Sequence, residues 1–144
     1  MYSKAHLLIS TAVGAAVAVV SGGPPIGAAA TVGYAALLGV GIDLDHFLVA
    51  RLNTGNWDAL LGVVRNPRRA VFEQGDIFEE GEDVTALQRL LSHAVIAGLL
   101  VAGLSLVSSY LALLSAVVLY VHVLSDLYQD VRDETAERAG AGRL

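Results

Sequence analysis

Asp43, Asp45 and His46 fall within four positions, directly after a stretch from Ile26 to Ile42 that has no charged side chain. His122 and Asp126 stand four residues apart, and Leu119 to Leu124 around His122 is otherwise apolar. His6 and His93 each open another apolar run. Three or four imidazole and carboxylate ligands suit zinc, manganese or non-haem iron. Ionisable groups at the edge of apolar segments are costly to keep, so they are functional candidates by default. The spacing supports a shared site. His122 and Asp126, at i and i+4, share one helix face with Cβ atoms roughly 5–6 Å apart, and Asp43 and His46, at i and i+3, do likewise. Asp45 points elsewhere on a regular helix. It needs the helix to fray, or it serves a second metal or orients a ligand from behind. Arg89, one turn before His93, has the chemistry to hold a phosphate or carboxylate. Each residue also has a plain alternative: a helix leaving the membrane, a headgroup contact at His6, a backbone hydrogen bond at His93, an interfacial anchor at Arg89.

The composition explains why these residues stand out. Of 144 residues, 55 % are hydrophobic and 16 % charged, against roughly 45–50 % and about 25 % in ordinary soluble chains. Mean hydropathy is +0.61. A membrane protein is expected. The absence of cysteine excludes disulfides, thiolate metal sites and a cysteine nucleophile. A net charge of −5 argues against nucleic acid, which requires a basic footprint.

Four apolar segments must carry the candidate residues, at about 5–20, 26–42, 90–107 and 110–125. Each is near the ~17–25 residues of a spanning helix. Lys4 before Leu7–Val20 resembles the start of a signal peptide, but no small-residue cleavage site precedes a polar mature chain. The run reads as a retained membrane helix. Ser21-Gly22-Gly23-Pro24-Pro25 divides the first pair as a tight turn. Only Ser108-Ser109-Tyr110 divides the second pair. One helix over 90–125 would be about 54 Å long, too long for a ~30 Å hydrocarbon core, so a hairpin is expected. Gly14, Ala15, Ala16, Gly33, Ala35, Ala36, Gly98 and Gly103 allow close helix approach.

The connecting segment 49–88 is polar. Trp57, Leu60, Leu61 and Val64 lie on one face of a short helix, with Asn56 as its N-cap. Arg65, Arg68 and Arg69 behind it suit a helix lying at the interface. Asn66-Pro67 suits a second helix start. Glu79, Glu80, Glu82 and Asp83 read as a solvated loop, with Asp83 capping the third long helix. In up-down order, all nine Lys/Arg, all fourteen Asp/Glu and all four His fall on one face. Basic residues in short loops mark the cytoplasmic side, so both termini are expected there. The acidic tail 130–144 reads as a solvated helix end. The expected fold is all-α, one integral membrane four-helix bundle of two helical hairpins with a short interfacial helical segment between them.

The motifs resemble a family of small membrane-bound proteins described as metal-dependent hydrolases, the group that includes the LexA-regulated inner-membrane member. That pattern has an early His, an Asp-x-Asp-His element, a His-Arg-x-x-Ser/Thr-His element and a late His-x-x-x-Asp. His6 looks like the first. Asp43, Asp45 and His46 match the second, Arg89, Ser92 and His93 the third, and His122 and Asp126 the fourth. The resemblance spans residues 6–126. One departure is Gln88, which stands where the pattern has a His.

The expectation is an integral membrane hydrolase using a divalent metal, zinc or manganese, on a lipid or phosphoester at the cytoplasmic membrane surface. Metal ligands are His6, Asp43, His93, His122 and Asp126. Asp45 or His46 is the general base or supports a ligand, and Arg89 orients an anionic group of the substrate. The bilayer is the expected partner, and a homo-oligomer is compatible with the sequence. The alternative is a non-catalytic membrane protein whose His/Asp cluster binds metal for structure, sensing or transfer.

Overall fold

The computed structural model describes residues 3–66 and 84–141. All regular structure in them is helical: α1 (Ser3–Ser21), α2 (Pro25–Gly41), a 3₁₀ turn (Ile42–Leu44), α3 (Asp45–Thr54), α4 (Asp58–Arg65), α5 (Ala86–Ser105) and α6 (Ser109–Ala141). Four stretches are long and apolar enough to cross a membrane: Lys4–Ser21, Pro25–Thr54, Ala86–Ser105 and Ser109–Ala139. Leu8, Val19, Val20, Ile26, Leu37, Leu99, Leu106 and Leu113 are among the exposed apolar side chains. Water would penalise such a surface; hydrocarbon does not, because each helix satisfies its own backbone hydrogen bonds.

Both expected hairpins form. Gly22, at φ +62°, takes the left-handed backbone that lets α1 stop, and Pro25 supplies the preset φ that opens α2. The second break needs less. The Ser108 hydroxyl accepts from the Leu111 N–H at 3.3 Å and starts α6 three residues after α5 ends.

α1 packs along α2 and α5 along α6, while α6 also touches α1 and α2. Ala35, Leu114 and Val118 form the buried centre, ringed by Val13, Val17, Tyr34 and Leu38. Gly14 and Gly39 carry the α1–α2 approach. A methyl group at Gly14 would sit 2.7 Å from Ala35 Cβ, and one at Gly39 would overlap the Ser10 side chain. Gly33, Gly98 and Gly103 face no such neighbour. Two polar pairs tie α2 to α6. The Thr31 hydroxyl lies 2.7 Å from that of Tyr110, and the Tyr34 hydroxyl lies 2.7 Å from that of Ser115. In hydrocarbon such pairs replace lost water contacts.

Three boundaries differ from expectation. The second span does not end at residue 42. It runs on through the 3₁₀ turn and α3 until Gly55, at φ +80°, closes it, because Phe47-Leu48-Val49-Ala50 contains nothing that stops a helix. The third begins at Ala86, capped by Thr85; Asp83, the expected cap, lies outside the described residues. The fourth does not end near 125. It spans 33 residues, about 50 Å, with exposed pairs such as Arg138–Glu134 along its polar end.

The short helix between the hairpins is present as α4. Asn56, expected as its cap, lies one residue too early: the N-cap is Trp57, without a side-chain cap bond, and Asn56 Oδ1 accepts from the Asp58 N–H at 2.9 Å in an Asx-turn that leads into the helix. No residue of α4 is buried, and Trp57, Leu61 and Val64 are exposed. Its apolar face is therefore not covered by the described residues. The expected helix start at Asn66-Pro67, residues Arg68 and Arg69, and the acidic loop 79–83 lie outside the described residues.

Candidate metal centre

Four helical segments bring their polar residues to one level. His6 lies in the first turns of α1, and His93 lies in the second turn of α5. Asp43 is in the 3₁₀ turn, and Asp45 and His46 open α3. His122 and Asp126 sit on consecutive turns of α6. Measured along the helices from the two short turns, these residues lie roughly 18–27 Å in. That is near the far edge of a ~30 Å hydrocarbon core. Relative exposure is 0 % for His93 and Asp126 and 1 % for His6 and His122.

The centre of the cluster consists of four atoms. Asp43 Oδ1 lies 3.3 Å from His93 Nε2 and 3.3 Å from His122 Nε2. Asp126 Oδ2 lies 3.5 Å from His122 Nε2 and 3.7 Å from His93 Nε2. The other oxygen of Asp126 lies 3.1 Å from His6 Nε2. The rings of His6 and His122 stack with centroids 3.8 Å apart.

Asp45 completes the arrangement from behind. Its Oδ2 lies 2.7 Å from His93 Nδ1. An ionised carboxylate only accepts, so Nδ1 carries the proton and donates. The Nε2 of His93, at the opposite side of the ring, then turns towards Asp43 and Asp126. A carboxylate behind the imidazole is what fixes the tautomer and orientation of a metal-ligating histidine. On a regular helix Asp45 points away from Asp43. The backbone does not fray to correct this. It tightens into 3₁₀ winding at Ile42–Leu44, which turns each residue by about 120° instead of about 100°. His93 thereby fits between the two carboxylates.

His46 lies on the open side. Its Nε2 is 4.0 Å from Asp43 Oδ1 and 3.7 Å from Asp45 Oδ1, and its side chain is 18 % exposed. Its ring stacks on His93 with centroids 5.1 Å apart. Arg89 also keeps 18 % exposure, with Nε 3.9 Å from Asp126 Oδ2. Its Nη2 lies 2.6 Å from both oxygens of Asp130. Asp130 is thus a partner of Arg89, not a merely solvated residue. The i, i+4, i+8 spacing of His122, Asp126 and Asp130 is the signal that places it on the site's face. Any anion that Arg89 takes must compete with this carboxylate. The Ser92 hydroxyl donates to the Arg89 carbonyl at 3.0 Å.

Gln88 serves a different end. Its Oε1 accepts from the Thr85 N–H at 3.1 Å, while the Thr85 hydroxyl accepts from the Gln88 N–H at 3.2 Å. This is a capping box. Its amide also pairs reciprocally with that of Asn53, at 3.0 Å in each direction, and ties α5 to α3. The departure from the family pattern is therefore occupied by a helix cap. Gln88→His is expected to cost about 0.5–2 kcal/mol of stability and to add no metal equivalent. Thermal unfolding and elemental analysis of the variant check both.

The donor set fits a divalent ion. An ideal tetrahedron of N and O ligands at metal–ligand lengths of ~2.0–2.1 Å has edges of about 3.3–3.4 Å, close to the four nitrogen–oxygen separations of 3.3–3.7 Å given above. His122 Nδ1 and Nε2, His6 Nδ1 and Asp43 Oδ2 are buried and make no hydrogen bond among the described residues. Lone pairs facing one another at these distances repel unless a cation or protons lie between them. Two groups satisfy metal-ligand proximity: His6, Asp43, His122 and Asp126, and Asp43, His46 and His93. All six residues named from the sequence as ligands or catalytic groups, other than Asp45, belong to one or both. Comparison with protein-family models, curated proteins and solved structures found no match for this chain.

Proposed function

We propose that this is an integral membrane, metal-dependent hydrolase acting on a lipid or phosphoester at the membrane surface, in keeping with the family it resembles. One observation carries the reading: His6, Asp43, His46, His93, His122 and Asp126 converge in two groups whose ligand atoms lie within 4.8 Å of one another, with Asp43 in both. A divalent metal there, zinc or manganese, would supply Lewis acidity and bring a water's pKa down towards ~7. Asp45 holds the His93 ring and keeps its proton on Nδ1. His46 stands at the more open side, where a general base can reach both solvent and site. Arg89 offers its guanidinium to an anionic group in exchange for Asp130. The location of the cluster near one edge of four apolar spans favours an amphiphile whose scissile bond lies at headgroup depth. The clustering of basic residues on one face of the up-down order supports a cytoplasmic side for that edge and both termini.

Elemental analysis of detergent-solubilised protein beside His122→Ala/Asp126→Ala tests the metal. About one or two equivalents in the parent, lost in the variant, is expected. A parent that stays metal-free after reloading with zinc and manganese overturns the reading. Chelator-sensitive release of phosphate or headgroup from phospholipid vesicles and soluble phosphoesters then tests the reaction. The non-catalytic reading has its own support: His6, Asp43, His122 and Asp126 provide four protein ligands in a buried set, as closed structural sites do. Metal-loaded protein inert towards every such substrate favours it.

A further inference from the structure

We infer that the centre holds two metal ions of unequal closure, bridged by Asp43. The inference rests on the metal-binding reading above and extends it. Two groups of donors meet the proximity required of a metal site, and Asp43 is the one residue common to both. The deeper group adds His6, His122 and Asp126, all at most 1 % exposed. The shallower group adds His93 and His46, and it includes the two most exposed imidazole and carboxylate side chains of the cluster, His46 at 18 % and Asp43 at 13 %.

The chemistry of Asp43 matches a bridging role. Its Oδ1 lies 3.3 Å from a nitrogen of each group, His122 in one and His93 in the other. Its Oδ2 is buried and makes no hydrogen bond among the described residues. A carboxylate offers two oxygens with about four lone-pair sites, enough for two cations.

The two groups differ in what they leave open. Four protein ligands complete a tetrahedral ion in the deeper group, and three in the shallower group leave one position. The deep ion is thus the structural member and the shallow ion the reactive one. The division gives His46 a second possible role, as a ligand instead of a base, and the two roles separate by metal count.

Manganese titration of the detergent-solubilised full chain, read by elemental analysis and by electron paramagnetic resonance, tests the inference. The parent is expected to bind about two equivalents and to show the broad signal of a spin-coupled pair. His46→Ala, at a partly exposed position, is expected to retain about one equivalent with the six-line signal of an isolated ion. Helical circular dichroism and a monodisperse elution profile establish that the variant is folded. One equivalent and an isolated-ion signal in the parent overturn the two-ion inference and leave the metal-binding reading standing. Two equivalents without coupling overturn the bridging role of Asp43. Two equivalents kept by His46→Ala overturn the assignment of the shallow group. No metal in the parent overturns both readings together.

Discussion

Asp126→Ala should abolish metal binding and remove the response of the protein's stability to a chelator. Asp126 is fully buried, and its two oxygens face His6 at 3.1 Å, His122 at 3.5 Å, His93 at 3.7 Å and Arg89 at 3.9 Å. Asp43, by comparison, pairs with three imidazoles within 4.0 Å. Breaking a buried charge network by removing one partner costs about 3–5 kcal/mol, so the variant should unfold at lower temperature even without metal. The second part of the prediction separates metal from mere structure. A ligand that binds only the folded state adds about 2.7 kcal/mol at a concentration 100 times its dissociation constant. Chelation should therefore lower the unfolding temperature of the parent and leave that of Asp126→Ala unchanged. A parent indifferent to chelator would show that the carboxylate serves the imidazoles alone, as a proton-stabilised network.

The second large effect belongs to Asp45, which the distances place outside both groups of metal donors. Asp45→Ala removes the 2.7 Å hydrogen bond to His93 Nδ1. The imidazole is then free to exchange tautomers and to rotate, so its Nε2 lone pair is no longer held towards Asp43. Loss of a partner that orients a ligating histidine typically costs 10–100-fold in metal affinity or activity. That range is the expected loss for Asp45→Ala, measured by competition with a chromophoric chelator. Asp45→Asn should recover part of it, because the amide oxygen still accepts from Nδ1–H. Unchanged affinity in Asp45→Ala would mean that packing alone holds His93 between α3 and α5. A complete loss of metal in both variants would instead make Asp45 a direct ligand.

These two residues also show how far the chain could be read without its structure. The four apolar spans follow from composition alone, since uncharged runs of nearly this length are what a ~30 Å hydrocarbon core accommodates. The two hairpin breaks follow from local chemistry at Ser21–Pro25 and Ser108–Tyr110. The pairing of His122 with Asp126 follows from helical spacing. The convergence of His6, Asp43, His93 and His122 follows from counting crossings, because an up-down order sends these positions to one side.

What no local rule could supply was the path of the backbone at Ile42–Leu44 and the contacts that depend on it. Sequence spacing places Asp45 on the wrong face of a regular helix. Only the packing of α3 against α5 shows that a 3₁₀ turn brings it to His93. The sequence likewise suggests a missing ligand at Gln88, where the tertiary structure has a cap and an amide bridge to Asn53. Asp130 reads as solvated until Arg89 is placed across from it, 41 residues away along the chain. The residue types and their order thus determined which groups the membrane edge would collect. The division of those groups into two sets sharing Asp43, with Asp45 behind His93, was decided by tertiary packing. Distances of 3–4 Å between side chains on different helices depend on how the helices approach, twist and tighten, and no periodicity within one helix encodes that.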